Sequence, residues 1–203
     1  SRALIVSGRY PHNSGIFGGT PPDGGYQVFA ENGVEEETAA VRLQEAGYQT
    51  AFMGKYLNGY ERHSEAVPPG WDEWFGLSGS FLDGYGYKAN HNGTTESFGS
   101  DEDDYQTDVL ARQASSFLEG ATGDDTPPFA LFLWPSAPHS PIVPAERHRD
   151  NPFADAALPR RENFDEADVS DKPLWIREGT PPLGDDGIEM ETELYRNGMG
   201  SLM

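Results

Sequence analysis

Apolar positions along the chain come in short bursts separated by polar stretches rich in glycine and proline, and the spacing within the bursts changes from one to the next. Leu4, Ile5 and Val6 stand together and cannot all face solvent, so the first eight residues predict a short helix running into a loop that reaches about Asn32. From Glu35 acidic residues crowd a helix start, where they suit the dipole. Thr38 can cap it, and Ala39, Val41, Leu43 and Ala46 supply apolar positions up to Gly47. Tyr48 to Met53, bounded by Gly47 and Gly54, then predicts a short strand.

The stretch 59–104 carries Trp71, Trp74, Phe75, Phe81, Tyr85 and Tyr87 among many loop formers, and predicts an aromatic excursion with little regular structure. Thr107 predicts the cap of a second long helix to about Gly120, with Val109, Leu110, Ala114, Phe117 and Leu118 on its buried side. Phe129 to Trp134 is continuously apolar, the pattern of a strand buried on both faces of a parallel sheet. A long surface segment over 141–187 and a helix over 188–203 complete the pattern. Alternation of strand, helix and strand predicts an α/β architecture, with no repeats and no linker that would divide residues 1–203 into two domains.

Composition narrows the function. The chain holds 34 acidic against 14 basic residues, a formal charge of −20, which repels phosphate backbones and argues against a nucleic-acid partner. The acid reads first as a solvated surface and second as a binding face. There is no Cys, so disulfides, thiolate metal sites and a Cys nucleophile are excluded for these 203 residues. No apolar run approaches the roughly 20 residues that cross a bilayer.

Candidate chemistry gathers at three places. Lys55 follows the first predicted strand and His139 follows the second, and in open α/β sheets ligands bind outside the carboxyl ends of strands. A cation and an imidazole at that edge suit an anion, although a lone Lys is ordinarily surface decoration and a His among prolines ordinarily packs a loop. The third place is the opening, where a helix beginning near Ser1 would aim free amides, with Arg2 beside them, at an anion; the plain alternative is an ordinary helix with an exposed Arg.

With those residues in place, the sequence resembles the type I, formylglycine-dependent sulfatase family. Ser1-Arg2 and Ser7-Gly8-Arg9 match the downstream half of its Cys-x-Pro-Ser-Arg signature in type and spacing. Ala46 to Lys55 resembles its AGY-x-T-x-x-x-GK segment, and Ala137-Pro138-His139-Ser140-Pro141 its Pro-His-x-Pro segment. The stretches 54–60, 67–77, 103–111, 164–173 and 193–197 resemble the branch containing N-acetylglucosamine-6-sulfatases.

The resemblance implies an alkaline-phosphatase-like sulfatase fold, mainly a parallel sheet flanked by helices and incomplete at both ends. It also implies hydrolysis of a sulfated sugar or an aryl sulfate. Lys55 and His139 would contact the sulfate, and Arg2 would lie near the nucleophile. The family's Cys, converted to formylglycine, would fall two positions before Ser1, and the ligands for Ca²⁺ would lie outside the chain, leaving the chain alone inactive. Where many members have Gly-Lys-Trp-His, this chain has Lys55-Tyr56-Leu57-Asn58, which puts the Asn58 amide in the place of that His. A secreted, periplasmic or lysosomal setting is implied as well. The rival readings are a phosphonate or phosphodiester hydrolase of the same superfamily and a noncatalytic fragment that binds sulfated glycans.

Overall fold

The computed structural model describes every residue except Ser64, Asp124, Arg149, Thr180 and Met203. It comprises two compact units, Ser1–Ser136 and Ala137–Met203.

The first unit is built on a five-stranded mixed sheet. Its strands are β1 (Gln49–Gly54), β2 (Glu73–Ser78), β3 (Lys88–His91), β4 (Thr94–Ser97) and β5 (Phe129–Trp134), in the order β4-β3-β2-β1-β5. β1 lies between β2 and β5 and runs parallel to both, with Phe52 level with Trp74 on one side and Phe132 on the other. β2, β3 and β4 form an antiparallel meander.

Because strand side chains alternate, the sheet buries two different faces. Phe52 and Trp74 enter one core cluster together with Val6 of α1 (Arg2–Ser7), Tyr26 and Phe29 of α3 (Gly25–Glu31) and Ala40 of α4 (Ala39–Glu45). Ala51, Met53, Phe75 and Leu77 point the other way and pack with Val109, Leu110 and Ala114 of α5 (Gln106–Ala121). The sheet is therefore covered by helices on both faces, as the α/β reading expects.

The local predictions hold in part. Thr38 caps α4, its hydroxyl accepting from the Val41 amide at 3.4 Å, and Glu35 to Glu37 lie in the single 3₁₀ turn before it. Ala46 is exposed, because α4 ends at Glu45. In α1 only Val6 is fully buried, and Leu4 and Ile5 are exposed, since six residues offer one narrow stripe to the core. The long loop expected before Asn32 contains α2 (Pro11–Ser14) and α3.

Three expectations are corrected. The stretch 59–104 is not structureless: it supplies β2, β3 and β4. Thr107 does not cap α5, which begins one residue earlier with Tyr105 in the capping position and no side-chain cap. Gln106 instead turns inward, donating to the Phe81 carbonyl at 2.6 Å and accepting from the Ser136 hydroxyl. β5 is not buried on both faces, for it stands at the sheet edge with β1 as its neighbour, and Phe129 and Leu133 are exposed.

The second unit has long loop segments and two α-helices, α6 (Leu174–Gly179) and α7 (Asp185–Ser201). The terminal helix matches the sequence expectation up to Ser201, and the last predicted position, Met203, lies outside the described residues.

Candidate active site

The segment 54–60 that leaves β1 is held from below by aromatic packing. Tyr56, Leu57 and Tyr60 are buried, while Lys55 is half-buried and Asn58 exposed. The Tyr60 hydroxyl accepts from the Trp74 indole at 2.8 Å and the Asn90 amide at 3.0 Å, and donates to the Ala66 carbonyl at 2.7 Å. A buried phenol with all of its capacity used fixes the backbone above it. Lys55 and Asn58 are thereby presented from a rigid base.

At the start of this segment Gly54 has φ +123°, and a Cβ there would sit 2.0 Å from the Trp134 carbonyl oxygen. The close crossing of the two strand ends demands glycine. Lys55 therefore emerges directly at the carboxyl end of β1.

The Lys55 ammonium is held below the usual lysine range, chiefly by burial, then by repulsion from Arg2, with Glu61 partly opposing both. Burial likewise lowers the Arg2 guanidinium from its ordinary value. The Lys55 Nζ also lies 5.6 Å from the centre of the Phe81 ring. Two cations thus share one neighbourhood, and among the described residues neither has a carboxylate within ion-pair distance. Since α1 has only six residues, its dipole adds little, and the positive character there belongs to the Arg2 side chain.

Arg2 and Asn58 both line a cavity of about 360 Å³ in the first unit. Lys55 is not among its walls, so the structure brings two of the four sequence candidates, Arg2 and Asn58, into that cavity and puts Lys55 near enough to Arg2 for its charge to be felt. Arg9, quoted above only as part of the signature, and Phe17, not singled out by sequence reasoning, also line it. Arg9 is paired with Glu37. A usable signal was present in the glycine-rich run from Gly15 to Gly25, which marks a tight loop able to approach other backbone closely.

His139 lies in the second unit and is exposed. Its Nδ1 is 2.6 Å from the Ser140 carbonyl oxygen. A carbonyl can only accept, so Nδ1 carries the hydrogen and Nε2 is left for another partner. Among the described residues no group of three or more His, Asp or Glu gathers in a geometry that would hold a metal ion. No helix among them is long and apolar enough to cross a membrane.

The description "Sulfatase" belongs to the family model that matches residues 1–173. Over its whole length the chain is 34% identical to the putative extracellular sulfatase Sulf-1 homolog of Caenorhabditis elegans, of which it covers 28%. It is 31% identical to the human N-acetylglucosamine-6-sulfatase, again over the whole chain and 37% of that protein. The chain thus spans about a third of the length of these relatives. A solved structure of BT4656 in complex with its substrate D-glucosamine-2-N,6-O-disulfate superposes with a TM-score of 0.61 at 23% identity, over 96% of this chain and 42% of that one. At that identity the match speaks for the fold.

Proposed function

The chain belongs to the sulfatase family, and from that membership we propose that the protein it forms part of hydrolyses sulfate esters of sugars of the N-acetylglucosamine 6-sulfate class. The observation that carries the reading is the pair Arg2 and Lys55, two half-buried cations of which Lys55 feels the charge of Arg2, only partly offset by Glu61, and neither of which has a carboxylate within ion-pair distance among the described residues. Keeping like charges together outside full solvent is unfavourable until an anion joins them. The relatives named N-acetylglucosamine-6-sulfatase support a sulfated hexosamine as that anion's carrier.

Sulfatase membership also raises the formylglycine nucleophile and Ca²⁺ that the resemblance implied. The resemblance places the residues that would carry both groups outside these 203 residues, so no step is assigned to them here.

What these residues do is electrostatic. Arg2 and Lys55 donate to the non-bridging oxygens of the sulfate, and the Asn58 amide adds a neutral donor. As the bond from sulfur to the sugar oxygen breaks, its electron pair passes to that oxygen. Charges already fixed in place stabilise this redistribution without reorganising. Overall one water is consumed: its oxygen forms the new bond to sulfur, one of its protons ends on the departing sugar oxygen to give the alcohol, and the other is released with inorganic sulfate.

The test is sulfate release from N-acetylglucosamine 6-sulfate by the whole protein, compared between Lys55→Ala and Lys88→Ala. Removing one preorganised contact to a transition state costs about 10²–10³ in rate. Lys88 lies on β3, away from the segment that carries the site, and its variant is expected to stay within about twofold of the parent. Equal small losses would show that Lys55 is a surface lysine, and faster turnover of a phosphodiester than of any sulfate ester would replace the reaction.

A further inference from the structure

The loop that closes the cavity beside Arg2 is built more tightly than sulfate binding requires. The amides of Phe17 and Gly18 both donate to the Asp23 carbonyl at 2.7 Å, and Gly18 forms a bridge with Gly24. A Cβ on Gly24 would lie 2.0 Å from the Gly18 oxygen, so the two arms touch through bare backbone. Gly25, at φ +82°, leaves no room either: a Cβ there would meet the carbonyl oxygens of Gly19 and Asn58 at 2.8 and 2.9 Å. The next amide, Tyr26, donates to the Asn58 carbonyl at 2.7 Å, and a Cβ on Gly19 would be 2.8 Å from Asn58 Nδ2.

The loop is therefore fastened to the same segment that carries Lys55 and Asn58. Its product is Phe17, held on the cavity wall with 70% of its surface exposed. A single exposed aromatic says nothing by itself. This one stands on a backbone that cannot retreat, in a cavity of about 360 Å³ that it shares with Arg2, Arg9 and Asn58. An apolar wall facing a few convergent polar groups is how small-ligand sites obtain both affinity and orientation.

We propose that this cavity holds the pyranose ring that bears the sulfate, with Phe17 covering the ring's C–H face as a specificity-determining residue. A pyranose has an apolar face and a polar rim, and the cavity offers each a counterpart. The assignment rests on the sulfate-ester reading for its substrate, but not on the fate of the ester. Inorganic sulfate fills the charged end and does not reach Phe17, whereas the sugar sulfate touches both.

The experiment compares wild type, Phe17→Ala and Phe17→Tyr in the whole protein. Calorimetry measures binding of N-acetylglucosamine 6-sulfate and of inorganic sulfate, and kinetics measures KM and kcat for the former. Losing one aromatic face is expected to weaken the sugar sulfate about fivefold to tenfold in Kd and KM, with inorganic sulfate unchanged and Phe17→Tyr close to wild type. Unchanged sugar binding in Phe17→Ala would overturn the assignment, and so would equal weakening of both ligands, which would report collapse of the loop. If wild type releases sulfate from no ester, the hydrolysis reading fails by itself, and the two binding constants still decide on Phe17.

Discussion

The Lys55 amide donates to the Trp134 carbonyl at 2.8 Å, so the ends of β1 and β5 are bolted together one residue beyond their last paired positions, Gly54 and Trp134. The same carbonyl would lie 2.0 Å from a Cβ on Gly54. Delivery of Lys55 to the sheet edge thus depends on the absence of a side chain next to it.

Gly54→Ala is accordingly expected to destabilise the protein by more than about 2 kcal/mol, because the clash is with backbone and φ +123° is itself disfavoured for alanine. Gly47 is the control. It also has positive φ, +85°, but a Cβ there would meet nothing within 4 Å, so Gly47→Ala should lose only the conformational term of about 1 kcal/mol. Urea unfolding of the two variants checks the contrast, and similar losses would mean that the Gly54 crossing yields easily.

A second prediction concerns the meander. His91 on β3 has Nε2 2.9 Å from Glu73 on β2 and Nδ1 2.8 Å from Glu96 on β4. Both partners accept, so the ring satisfies both only as imidazolium. Burial pulls its pKa down, yet the hydrogen bonds and charges of Glu96 and Glu73 outweigh burial, and the net shift is upward. A folded pKa raised above the unfolded value, about 6.5, gives a contribution that is complete below that pH and fades as pH rises through the folded value. The groups are partly exposed, which limits the effect to about 1 kcal/mol. The stability gap between wild type and His91→Phe should therefore be widest near pH 6 and close toward pH 9, and a gap independent of pH would show that the ring acts by packing.

The strands that were legible were those with one unambiguous pattern. Gln49 to Gly54 and Phe129 to Trp134 stand out between glycine or proline, and α5 shows a clear apolar stripe. The meander was obscured because aromatic residues packed closely in sequence hide period two: Trp74 and Phe75 are neighbours yet serve opposite faces. One signal was overlooked. Asn92-Gly93 joins β3 to β4 with both residues at positive φ, 50° and 89°, the geometry that favours Asn-Gly in two-residue hairpins. At the site, Arg2 and Lys55 were candidates from their places at a helix start and a strand end, and Asn58 from the family resemblance. Phe17 was not a candidate, because the glycine-rich run around it marks a tight loop without recording which backbone contacts close it or which side chain they present.

The last prediction separates binding from catalysis in this 203-residue chain taken alone. The Lys55 pKa is lowered by burial and by Arg2, so its charge costs stability in full below the depressed folded value, and that cost fades as pH climbs from there to the ordinary lysine value near 10.4. An anion seated between Lys55 and Arg2 removes the repulsive part of that cost. Sulfate should then raise the Tm of the chain at pH 7, raise it less near pH 10, and raise it much less in Lys55→Met. Turnover is another matter. The chain has no Cys to supply the nucleophile that the family resemblance implies, and cations that hold ground state and transition state alike do not accelerate chemistry. Sulfate release from an aryl sulfate or from glucosamine 6-sulfate, with Ca²⁺ supplied, should therefore equal that of a Lys55→Ala control. Release clearly above the control would require another nucleophile, and Ser1, at the mouth of the cavity with Arg2, would be the first side chain to replace.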